Sequence, residues 1–108
     1  MIQSPDFPDV YPPNLECIWF INIPGQKVEL LFAEFKTEDT FDSLEVYGTK
    51  FWDSVNTREI NWSGRLVPQP VITDQYMWLR FTTNAQNTNG LVNTGFSAKF
   101  RRHIMYEL

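Results

Sequence analysis

One cysteine and one histidine in 108 residues leave little material for nucleophilic or soft-metal chemistry. Cys17 has no partner within the chain, so an internal disulfide is excluded, and in a secreted protein it implies an external partner or a free thiol. Cys17 and His103 stand far apart in sequence, which gives no reason to expect a Cys–His pair, and a single histidine leaves no credible Ser–His–Asp set. Zinc sites need clusters of Cys and His, and none exists. Five scattered glycines form no phosphate-cradling loop. Bases are also scarce: 9 Lys and Arg against 13 Asp and Glu give a net charge of -4. Only Arg101 and Arg102 adjoin, whereas a phosphate backbone needs a basic stripe, so no nucleic-acid partner is expected. No apolar run is long enough to span a bilayer, so no membrane insertion is expected. Ile2 to Pro8 is polar and proline-broken, unlike a signal peptide. These absences predict a soluble domain without a catalytic centre, either cytosolic or cut from a longer precursor.

What the chain does have is apolar and aromatic. Hydrophobic residues make up 43% and aromatics 16%, far too apolar for disorder and sufficient for one modest core. Ser4 to Pro13 holds four of the seven prolines and predicts an extended, irregular lead-in in which Phe7 and Tyr11 can pack. Strands are expected at Cys17 to Ile23, Lys27 to Phe35, Ser43 to Tyr47, Arg58 to Trp62, Tyr76 to Thr82 and Gly95 to Arg101. Alternation points Met77, Leu79 and Phe81 inward and Trp78 and Arg80 outward. Trp19, Leu30, Phe32, Leu44, Val46, Leu79, Phe81, Phe96 and Phe100 form the expected core. Loops carry Phe51 and Trp52 in one case and the Asn-rich stretch Thr83 to Thr94 in another. No helix is predicted. Short strands separated by Pro, Gly and Asn turns read as an all-β, antiparallel two-sheet sandwich, a single domain with a core over about 4–101 and a tail at 102–108.

Between two of these strands lies FKTEDTFDSLEVY, Phe35 to Tyr47. Glu38, Asp39 and Asp42 crowd there with Lys36 the only nearby base, and carboxylates that close repel unless solvent or a cation separates them. A hard divalent cation such as calcium, with its six to eight oxygen ligands, suits them. From composition alone, a solvated hairpin turn rich in Asp, Thr and Ser is the favoured reading of the same residues.

The order of these pieces resembles the CUB domain, an extracellular jelly-roll sandwich. The match is carried by SPDFPDVYPPNLECIWFI (Ser4 to Ile21), FKTEDTFDSLEVYG (Phe35 to Gly48), WSGRLVPQP (Trp62 to Pro70), MWLRFTTN and TGFSAKF (ending at Phe100). The resemblance implies a cysteine outside this chain as the partner of Cys17. It also implies that the positions of the family's second disulfide fall at Asp39 and Ser63, where both cysteines are replaced. A bridge closing that loop contributes roughly 3 kcal/mol, so either the aromatic core supplies the stability instead or the domain is marginal alone. Many members bind one calcium through a Glu and an Asp of this turn and an Asp of the loop before the last strand. Here the matching residues are Glu38, Asp42 and Asn84, the last a neutral oxygen ligand, with Asp39 close enough to restore the missing charge.

The function implied is an extracellular, non-catalytic module of a larger protein. Its calcium-ordered carboxylates pair with a Lys or Arg of another protein, on a surface of Glu38, Phe41, Asp42 and Asn84. Charged hydrogen bonds of this kind contribute about 1.5–3 kcal/mol. Two alternatives stand beside it. One is a carbohydrate-binding jelly roll with Trp52, Trp62 or Trp78 as stacking platform; the other is a structural spacer or oligomerisation module. Asn61-Trp62-Ser63 is the only Asn-x-Ser/Thr sequon, so Asn61 is the expected glycosylation site.

Overall fold

β-Branched and aromatic residues at period two, broken by proline and glycine, leave the chain little choice but short strands. The computed structural model describes residues 1–48, 58–85 and 91–103. Its strands are β1 (Ile2–Gln3), β2 (Glu16–Asn22), β3 (Lys27–Lys36), β4 (Ser43–Tyr47), β5 (Arg58–Trp62), β6 (Val71–Thr73), β7 (Tyr76–Thr82) and β8 (Gly95–His103). They form two four-stranded antiparallel sheets, ordered β1-β8-β3-β6 and β2-β7-β4-β5. Except for β4 with β5, every pairing joins strands that are not consecutive in sequence, and no helix occurs among the described residues. The all-β sandwich read from the sequence is the fold.

The inner faces meet on Leu30, Phe35, Leu44, Val46, Leu79, Phe81 and Phe96, none more than 1% exposed. Phe81 packs edge-on against Phe96 and Tyr11, at centroid distances of 5.3 and 5.2 Å. Trp19 and Phe32 are half-buried against this cluster. Phe35 joins it because a bulge between Phe32 and Glu34 shifts the β3 register, which simple alternation does not anticipate.

Three expectations are corrected. Phe100 keeps the inward parity of Phe96 and Ala98 but is 43% exposed. The short β1 reaches only Ser97 and Ala98, so beyond them one flank of β8 is open among the described residues. Trp78 does point outward, yet it is buried, because Tyr47 stacks on it at 3.9 Å and 3°. His103 is no tail residue: it ends β8 opposite Lys27 and lies 3.6 Å from Glu29. The loop residues Phe51 and Trp52 fall outside the described residues.

Candidate functional site

The proline-rich lead-in is held at two points by buried side chains. Near its start, the Ser4 hydroxyl donates to the Thr94 carbonyl and accepts from the Phe96 N–H, which fixes the segment to the start of β8. Near its end, Tyr11 enters the core with its hydroxyl turned toward the acidic turn between β3 and β4. That hydroxyl accepts from the Glu38 N–H at 3.1 Å and donates to Asp42 Oδ2 at 2.5 Å. The other oxygen of Asp42 accepts from the Asn84 N–H at 2.8 Å. Thr37 closes the turn, its hydroxyl donating to the Asp42 carbonyl and accepting from the Gly64 N–H.

Three segments remote in sequence thus converge on one carboxylate: the lead-in, the acidic turn and the start of the Asn-rich loop. The Asp42 carboxylate is brought to the Asn84 N–H directly and to the Glu38 N–H through the Tyr11 hydroxyl, with Glu38 fully buried and Asp42 3% exposed. Burial and the Asp42 carboxylate raise the Tyr11 phenol well above its ordinary value, so it remains a protonated donor at physiological pH. A second clamp closes the loop from its far side, where Arg65 donates to Asn93 Oδ1 and the Val92 carbonyl.

Beside this convergence opens a cavity of about 220 Å³, lined by Val10, Tyr11, Pro12, Pro13, Thr83, Asn84 and, as its only acid among the described residues, Asp42. Phe41, the residue before Asp42, is 60% exposed and is not part of this lining. The donor set suits a hard cation only modestly. It offers two carboxylates and a neutral Asn, and no three His, Cys, Asp or Glu gather among the described residues. Each Asp42 oxygen accepts one protein hydrogen bond and retains a second lone pair.

Asp39 does not add the charge expected of it. It is exposed, and it accepts a hydrogen bond from Ser63 at 3.1 Å, while Ser63 in turn accepts one from the Thr40 N–H. The two positions at which the resemblance implies a replaced disulfide thus meet through a hydrogen bond. Asn61 lies exposed on β5, opposite Glu45. Cys17 is half-buried in β2, and burial raises its thiol above the ordinary value, which disfavours the reactive thiolate. Trp62 is half-buried with its ring N–H bound to the Leu66 carbonyl, and Trp78 is covered by Tyr47. Neither supplies the open stacking platform a sugar needs, and Trp52 lies outside the described residues. Sequence reading missed Tyr11 as a site residue, although the Tyr-Pro pair ending the lead-in motif marked it.

A family model described as "CUB domain" matches residues 1–100. Human cubilin is 33% identical over 94% of the chain, and human neuropilin and tolloid-like protein 2 is 36% identical over 90%. The chain spans only 3% of the former and 19% of the latter. Among solved structures, the CUB1-EGF-CUB2 domains of rat MASP-1 superpose with a TM-score of 0.81 at 25% identity, over 97% of this chain and 40% of that one. The MASP-1 CUB2 domain bound to Ca2+ superposes with a TM-score of 0.75 at 24% identity, over 93% and 88%.

Proposed function

Because the chain belongs to the CUB domain family, we propose that it is a non-catalytic protein-binding module of a larger extracellular protein. In this reading Glu38, Asp42 and a carbonyl oxygen of Asn84 hold one calcium ion. The observation that carries it is the convergence of the lead-in, the acidic turn and the Asn-rich loop on Asp42. Calcium supplies positive charge that offsets the repulsion between two buried carboxylates. The protein's own residues do the rest. Tyr11 orients Asp42, Arg65 holds the far end of the loop, and Glu38, being buried, serves the cation and not the partner. A partner's Lys or Arg reaches Asp42 through the cavity, its aliphatic stem lying along Pro12 and Pro13, with Phe41 as an exposed apolar contact beside it. Asn61 carries an N-linked glycan, and Cys17 pairs with a cysteine outside these residues.

Only two formal charges face the cation, so affinity falls in the weak range of extracellular modules, about 10⁻⁴–10⁻³ M. Thermal unfolding in a calcium series tests this. Calcium at about tenfold over Kd stabilises by roughly 1.4 kcal/mol, a rise of several degrees in Tm. Asp42→Asn, which keeps a hydrogen-bonding side chain of the same shape, removes the rise, and Asn84→Asp enlarges it. An unchanged Tm at several millimolar calcium contradicts the reading and leaves the turn as a solvated hairpin.

A further inference from the structure

The free edges of the two sheets differ in how they are guarded. A sheet edge offers unpaired N–H and C=O groups, and proteins protect it with short strands, charge, proline or bulges. In the first sheet β1 has two residues and β6 has three, the latter directly after Pro70. The flank of β8 beyond β1 carries Lys99, Arg101 and Arg102. In the second sheet the β5 edge carries exposed Arg58, Glu59 and Asn61. The remaining edge, β2, is the least guarded among the described residues. Its seven residues pair one for one with β7 without a bulge, and it contains no proline, glycine or basic residue. Its single charge, Glu16, is bound by Arg80 at 2.6 Å.

Both faces of β2 are also incompletely covered. Ile18 and Phe20 point outward at 48% and 51% exposure, and Cys17 and Trp19 on the inner side are only half-buried. We propose that this edge receives β2 of a second copy of the chain, antiparallel, with the two-fold axis at Trp19. That register is self-complementary. Ile18 falls beside the second copy's Phe20, Cys17 beside its Ile21, and Glu16 beside its Asn22. No like charges face one another. Asn22 already accepts from Gln75 through its side-chain oxygen, which leaves its amide hydrogens as donors to Glu16. The pairing joins two four-stranded sheets into one whose outer ends are both the guarded β5, so assembly stops at the dimer. Asn61 lies on that far edge, and a glycan there leaves β2 clear. One strand and two apolar side chains per copy make a small interface, so the dimer is weak and concentration-dependent. This inference is independent of calcium.

Sedimentation velocity on the whole chain, with reductant to exclude Cys17 cross-links, tests it from micromolar to near-millimolar concentration. The weight-average mass is expected to rise toward twice that of the monomer. Ile18→Lys with Phe20→Lys sets Lys against Lys in both central pairs and holds the chain monomeric, with a Tm within a few degrees of the parent. Ile72→Lys, at an exposed apolar position on the other sheet, leaves the dimer intact. Should the double variant fold poorly, hydrogen exchange on the unaltered chain decides: β2 amides gain protection as concentration rises, and β5 amides do not. A chain that stays monomeric throughout, a dimer that survives the double substitution, or β2 protection independent of concentration overturns the proposal.

Discussion

The Tyr11 hydroxyl is the smallest unit on which the candidate site depends. Tyr11→Phe retains the ring packed on Phe81 but leaves the Glu38 N–H and Asp42 Oδ2 without this partner. A buried group left unsatisfied costs about 1–3 kcal/mol, which denaturant unfolding measures directly. The same residue sets an alkaline limit. Its folded-state pKa lies above the ordinary 10.0, so the native state holds this proton more tightly than the unfolded chain. The resulting stability is whole below pH 10 and declines as pH rises from there through the folded value. Tyr11→Phe is expected to flatten that part of the stability–pH curve, and an unchanged alkaline slope rules Tyr11 out as its source. Gly95 is the second sensitive residue. Its φ is +88°, and a Cβ there lies 1.8 Å from Ser4 Oγ, within the contact that fixes the lead-in. Gly95→Ala is expected to cost on the order of 3 kcal/mol in the same unfolding measurement. Ser4→Ala recovers little of it, because the backbone strain persists.

Six strands were legible as elements because each carries period-two apolar residues between turn signals. β1 and β6 were not: two or three residues beside Pro5 or Pro70 are too few to show a period, and only long-range pairing makes them strands. The bulge in β3 and the burial of Trp78 were hidden for related reasons. One depends on register against β8, the other on a ring brought from β4. Within the site, the acidic turn and Asn84 could be read from sequence, but their meeting with Tyr11 depends on tertiary closure. At this scale the Asp39–Ser63 contact makes its own prediction. The acidic turn and the turn after β5 are joined there by hydrogen bonds where a covalent bridge is absent. Asp39→Cys with Ser63→Cys, in a Cys17→Ser background, is expected to form a disulfide, detected as a mass loss of two hydrogens. It should add up to roughly 3 kcal/mol under oxidising but not reducing conditions. Equal Tm values in the two conditions, with the bridge formed, show that native geometry strains it.

Across the whole molecule, strands of both sheets meet at the site, while the two edges of the second sheet carry other features. The core fixes the ends of β3, β4, β7 and β8, and one end of the sandwich gathers the residues proposed to bind calcium and a basic side chain. The opposite edges carry separate features, the bare β2 strand and the sequon on β5. A partner's basic side chain is drawn to buried Asp42 across solvent, so added salt is expected to slow its association modestly, whereas chelator and Asp42→Asn weaken the contact itself. The most direct measurement is a calcium titration of the ¹⁵N-labelled chain, followed amide by amide. Saturable shifts are expected at Tyr11, at residues 37–42 and at residues 83–85, with a common midpoint near or below millimolar calcium and none in β2. Absence of saturable shifts in those three segments at several millimolar calcium, or shifts confined to other acidic residues, contradicts the account.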